Sequence, residues 1–197
     1  CGNDANVGLI ANTLTREVEF IDGLLTNHLA LAEIDADIFS LSMSRIELSV
    51  ILQSIHGRFG FMAENSNLAI NLGLPGVEVF IDGDSVAIEQ AVANLVLNAF
   101  QHAQRNIALV LYTRVQGAII KVRDDGPGIS PEDLARVKER HFSRRRAGRE
   151  RRPGKGLGLT IADGIVQRHG GTLNLACHPD GGTVAEIYLP FRAASNK

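Results

Sequence analysis

The sequence predicts a mixed α/β domain preceded by a long N-terminal helix. Three observations carry this. Leu14, Val18, Ile21, Leu25 and His28 recur at alternating steps of four and three, the seam of a helical hairpin or coiled coil. Beyond about Ser42 the pattern changes to short strand-like runs interleaved with helical stripes. Two spaced-glycine loops then appear, Asp124-Asp125-Gly126-Pro127-Gly128 and Gly154-Lys155-Gly156-Leu157-Gly158, downstream of a helical stripe that carries Asn94 and Asn98.

In chain order, the first helix covers about Asn12 to Glu33, and a boundary near Asp35–Ser42 separates residues 1–41 from residues 42–197. Ser44 and Glu47 have the spacing of a capping box and predict a second helix from there to about Glu64. Strand-like runs near Leu68–Leu72 and Val77–Ile81 follow, split by Gly-Leu-Pro-Gly. Asp84 is placed to cap a helix reaching about Ala103, with Ile88, Ala91, Val92, Leu95 and Ala99 as its apolar stripe. Strands near Ile107–Val115 and Ala118–Val122 lead into the first glycine loop. Ser130-Pro131-Glu132-Asp133 reads as a helix start: an N-cap, a proline at the first helical position, then acids. A helix from about Leu159 to His169 ends at Gly170-Gly171, and strands near Thr172–Ala176 and Thr183–Leu189 close the chain.

With 197 residues, 45% of them hydrophobic, the chain can bury a core, and 21% charged residues is ordinary for a globular protein. No apolar run is long enough to span a bilayer. Cys1 and Cys177 lack metal-ligand spacing, which favours a reducing, cytoplasmic setting. A chain beginning at Cys1 without methionine is expected to be part of a longer protein, one that could be membrane-anchored upstream. The net charge of −2 gives no sign of a nucleic-acid partner. Between Phe142 and Gly158, however, seven basic residues face only Glu150, a net of +6, so the rest of the chain sums to −8. Positive charge concentrated on one loop suggests work on an anion.

Asn94, Asn98 and the Gln101/His102 pair fall on one helical face. A neutral amide oxygen there can ligate Mg²⁺ while phosphate oxygens and waters complete the shell. Two mid-helix asparagines can equally cap neighbouring backbone. Asp124, ending a strand, can accept from the exocyclic amine of adenine, with Gly126 and Gly128 letting the backbone pass close to a flat base. Asp-Gly and Pro-Gly also make plain turns. Glycines running into the helix after Gly158 leave N–H groups free to face phosphate, although no Walker lysine-serine/threonine pair follows. Each pattern alone is open. Their joint order reads as a nucleotide pocket.

That order resembles a known family. Asn94-Leu-Val-Leu-Asn98-Ala, Asp124-Asp-Gly-Pro-Gly-Ile, Phe142 and Gly154-Lys-Gly-Leu-Gly-Leu look like the N, G1, F and G2 boxes of the histidine-kinase ATP-binding domain. The superfamily also holds type II topoisomerases, a heat-shock chaperone and a mismatch-repair protein. The resemblance covers about Arg45 to Phe191.

It implies a two-layer α/β sandwich, the Bergerat ATP-binding fold, with a mixed sheet and helices on one face. ATP and Mg²⁺ are the implied cofactors. Asn98 becomes the metal ligand and Asp124 the adenine reader. Gly126 and Gly128 shape the base pocket, while Gly154, Lys155, Gly156, Leu157 and Gly158 border the triphosphate, and Phe142 anchors a lid. Asn94 stands where ATP-hydrolysing relatives place a water-activating glutamate. An amide is no general base at neutral pH, so the pocket should hold ATP without spending it on water. Gln101, beside His102, replaces the usual lysine or arginine. Phosphate contact should weaken unless Lys155 or a loop arginine substitutes.

Such a kinase transfers the γ-phosphoryl of ATP to a histidine on a helical hairpin, for relay to the receiver domain of a response regulator. Residues 1–41 would be the hairpin's second helix, through which the intact protein would form a homodimer. The accepting histidine would lie upstream, since neither His28 nor His56 is followed by an acid. Two other readings use the same fold: a non-catalytic ATP-sensing or partner-binding module, and an anti-sigma-type serine kinase.

Overall fold

Along two of the later strands buried positions alternate with partly exposed ones, giving a sheet with one dry face. The structure, a computed structural model, describes residues 40–64, 66–130 and 157–191, all within the unit that begins at Ser40. The predicted helix over Asn12–Glu33 and the helix start at Ser130-Pro131 lie outside the described residues, wholly and in all but Ser130 respectively.

The elements are β1 (Ser44–Glu47), α1 (Leu48–Glu64), β2 (Ala69–Gly73), β3 (Phe80–Gly83), α2 (Ser85–His102), β4 (Asn106–Arg114), β5 (Gly117–Asp124), α3 (Gly158–Arg168), β6 (Thr172–Cys177) and β7 (Thr183–Pro190). Five strands form a mixed sheet in the order β2-β4-β5-β7-β6, in which β2 runs parallel to β4 and the other pairs are antiparallel. Ile107, Leu109 and Leu111 of β4 are buried with Ile120 and Val122 of β5 and Ile187 and Leu189 of β7. The helices cover this face with Leu52, Ile55, Ile88, Val92, Ile161 and Ile165, all buried. Each such side chain stabilises the fold by roughly 1.5–3 kcal/mol. On the other face, half-buried Tyr112 donates to Glu186 Oε2 at 2.9 Å, and Lys121 Nζ lies 3.3 Å from the same oxygen. The mixed sheet with helices on one face is therefore the architecture that the family resemblance implies.

One expectation is corrected. Ser44 and Glu47 do not open a helix; they bound β1, which pairs antiparallel with β3 from Ser44↔Gly83 to Glu47↔Phe80. Ile46 is buried in this ribbon and Arg45 lies over the Phe80 ring at 4.3 Å. The helix begins only at Leu48. A capping box is a local pattern, and pairing with a strand 36 residues away overrides it.

α2 and α3 position the pocket. Asp84 caps α2 as expected: Oδ1 accepts the amides of Val86 and Ala87, both at 3.0 Å, and Oδ2 accepts Ser42 N–H at 2.8 Å. α3 returns antiparallel, since Gly158 at its start lies against Asn94 and His169 just past its end meets Asp84. His169 is buried; its Nε2 accepts the Asp84 backbone N–H at 3.0 Å while Nδ1 pairs with Ile165 O at 2.8 Å. An N–H facing Nε2 requires that nitrogen to accept, so Nδ1 carries the proton.

His169 is therefore a strut between two helices. His169→Ala leaves the Asp84 amide unpaired and opens a cavity, and should cost about 2–4 kcal/mol in urea unfolding. A cost below about 0.5 kcal/mol, the range of ordinary surface changes, would contradict the strut.

Candidate functional site

The site is assembled where β5, α2, α3 and the start of β7 meet. Asp124, the last residue of β5, is buried. Its Oδ1 accepts Gly126 N–H at 2.8 Å and Thr183 N–H at 3.3 Å. Two amides from different parts of the chain fix the carboxylate, and both fall on the same oxygen. Among the described residues, Oδ2 has no hydrogen-bond partner.

Close backbone approaches enforce this arrangement. A Cβ on Gly126 would strike the carbonyl oxygen of His102 and come within 2.7 Å of Asp124 Oδ1. Gly182 has φ +87, a left-handed conformation that side chains disfavour, and a Cβ there would overlap the Asp124 carbonyl oxygen. Gly128 also has positive φ, +76, and sits against the carbonyl of Gly182. The turn after β5 and the turn before β7 thus interlock across the carboxylate.

The asparagine helix borders the same region. Asn94 is buried, and a Cβ on Gly158 would lie 3.0 Å from its Oδ1, so only glycine seats the start of α3 there without a shift. Asn98 is half-buried one turn further along, and Gln101 and His102 are exposed at the end of α2. Leu157, buried at the N-cap of α3, makes no side-chain cap, so the first-turn amides of α3 receive none from it.

The structure therefore brings together Asn94 with Gly158, Gly126 with His102 and Asp124, and Gly128 with Gly182 of the facing turn. Gln101 stands exposed beside His102 in the last turn of α2. Phe142, Gly154, Lys155, Gly156 and the arginines of the basic loop lie outside the described residues. A metal would find few protein ligands: among the described residues no group of three or more acidic, histidine or cysteine side chains could hold one. One amide oxygen at Asn98 suits a cation that arrives already bound to phosphates.

Sequence reasoning missed two contributors. Thr183 supplies the second amide to Asp124 from 59 residues away, and no local pattern reports that. Asp125 does separate work. It accepts Gln104 N–H at 2.8 Å, Arg105 N–H at 3.0 Å, Asn106 N–H at 3.0 Å and Asn106 Nδ2 at 3.3 Å. Partial burial disfavours its charge, but donation from Arg105, Asn106 and Gln104 outweighs this and holds the carboxyl down at about 2.

Residues 83–193 match the family described as histidine kinase-, DNA gyrase B-, and HSP90-like ATPase. The chain is 28% identical over 190 residues to sensor histidine kinase MtrB of Mycolicibacterium paratuberculosis, covering 95% of this chain and 34% of MtrB. It is 31% identical over 151 residues to sensor-like histidine kinase SenX3 of Mycobacterium bovis, covering 76% of this chain and 37% of SenX3. The chain thus spans about a third of the length of these curated relatives. Among solved structures, mycobacterial sensor histidine kinase MprB matches with a TM-score of 0.65 at 28% identity, over 77% of this chain and 100% of that one.

Asp125 also sets an acid dependence. Its folded value of about 2 lies below the roughly 3.9 of a free aspartate. The stabilisation is complete above that unfolded value and is lost as pH falls through the folded one. Stability of the wild-type chain should fall more steeply between about pH 4 and 2 than that of Asp125→Asn, read by denaturant unfolding at stepped pH. Parallel losses in the two proteins would contradict this.

Proposed function

Because the chain belongs to the histidine kinase-, DNA gyrase B-, and HSP90-like ATPase family, we propose that it is the ATP-binding catalytic region of a two-component sensor histidine kinase. Residues 42–197 form the catalytic domain and residues 1–41 part of the dimerisation hairpin. The γ-phosphoryl of ATP passes to a histidine on that hairpin and then to an aspartate of a receiver domain. The intact protein works as a homodimer. Among the described residues, no helix is long and apolar enough to cross a membrane.

The observation that carries the reading is the Asp124 carboxylate, buried and fixed through Oδ1 with Oδ2 left to accept. An acceptor at the end of a strand suits the exocyclic amine of adenine, and guanine presents a carbonyl there instead. Asn98 supplies the metal contact, and Mg²⁺, when bound, neutralises phosphate charge. Catalysis is then mostly positioning, with little covalent work for the protein. Asn94 has an amide where a hydrolase needs a base, which protects the γ-phosphate from water.

Calorimetric titration of ATP, with and without Mg²⁺, tests this. Magnesium-dependent binding is expected, weakened roughly 10–100-fold by Asp124→Asn through loss of a charge-assisted acceptor. Asn98→Ala should remove the magnesium dependence. Radiolabelled γ-phosphate should then move to a supplied histidine hairpin. A folded wild-type chain that binds no ATP would sink the proposal, and binding without transfer would reduce it to a nucleotide-sensing module.

A further inference from the structure

Asp125 sits next to the base-reading carboxylate yet points its own oxygens elsewhere. The turn that leaves α2 delivers three consecutive amides, from Gln104, Arg105 and Asn106, to that one carboxylate, and the Asn106 side chain adds a fourth N–H. Oδ1 takes Gln104 and shares Arg105; Oδ2 takes both Asn106 donors and the other branch of Arg105, at 3.2 Å. The Asp125 amide donates back to Asn106 O at 3.3 Å. One residue further, Gly126 is pressed so close to the His102 carbonyl that a Cβ would not fit.

We infer that Asp125 is a positioning residue for base recognition, locking the end of the asparagine helix to the turn that aims Asp124. The inference rests on the adenine-reading role proposed above for Asp124. The two acids divide the work. Asp124 turns inward, where Thr183 and Gly126 orient it, and Asp125 ties the backbone of the same turn to residues 104–106. Without Asp125, three consecutive amides lose their acceptor and the turn loses its attachment to α2. Gly126 N–H then no longer holds Asp124 Oδ1 in place. Asn98, on the preceding turn of α2, and Asp124 would lose their fixed separation, so a nucleotide could not satisfy both ends of the site at once.

A turn cap that only adds stability would act differently. Lower stability reduces the folded fraction equally for every ligand and leaves ligand preference unchanged. A misplaced Asp124 selectively harms ligands that use the exocyclic amine. The test therefore compares ATP with inosine triphosphate, which has a carbonyl oxygen in place of the amine, by calorimetry on the 197-residue chain.

The wild type should prefer ATP, and Asp125→Ala should reduce that preference by about tenfold or more. Asp125→Asn keeps one accepting oxygen and should fall between them. Should Asp125→Ala fail to fold, Asp125→Asn carries the same comparison, with a reduced preference expected. An intact wild-type preference that persists unchanged in the folded variants would overturn the inference alone. A wild type that binds both nucleotides equally would overturn the base assignment and the inference with it.

Discussion

One oxygen of Asp124 receives two amides from parts of the chain that are 59 residues apart, and the pocket depends on that junction. Gly126 belongs to the turn that ends β5; Thr183 begins β7. Joining them through a buried carboxylate fixes the turn after β5 against the start of β7. The cost is borne in backbone conformation. Gly182 must adopt positive φ, and both it and Gly126 must lack a side chain, because the chain passes too close for one. Removing the carboxylate would leave two amides without their acceptor and destabilise the crossing.

A second constraint comes from the helix pair. α2 carries the asparagines and α3 brings its amino-terminal end to them, and the two run antiparallel, pinned at both ends. At one end Gly158 lies against Asn94; at the other, His169 accepts the Asp84 amide. Asp84 in turn caps α2 and holds Ser42. A change at His169, on the far side of the pair from Asn94, therefore bears on how the start of α3 meets α2.

Much of this could be read in advance, and the failures have physical causes. Helices with a strong apolar stripe and a capping aspartate, as in α2, announced themselves, because both signals are local. The strand-like runs that became β4, β5 and β7 did so for the same reason. β1 did not. Ser44 and Glu47 satisfy a helix-start pattern whose spacing also fits a strand, and the deciding partner, Phe80–Gly83, is distant in sequence. Residue type and order single out Asp124, Gly126 and Gly128 as candidates, and the structure places Asp124 against Gly126. Thr183 and Asp125 were not legible, because their contribution is a backbone amide in one case and an acceptor for distant amides in the other. His169 was legible only as the end of a helix, since nothing nearby in sequence reveals that it is buried.

The most direct test is a crystal structure of the chain soaked or grown with Mg²⁺ and a non-hydrolysable ATP analogue. The exocyclic amine of adenine should lie within hydrogen-bond distance, roughly 3 Å, of Asp124 Oδ2, with Oδ1 still held by Gly126 and Thr183. The metal should lie at Asn98. An adenine ring bound away from Asp124, or a carboxylate that has released its two amides to meet the base, would contradict this arrangement.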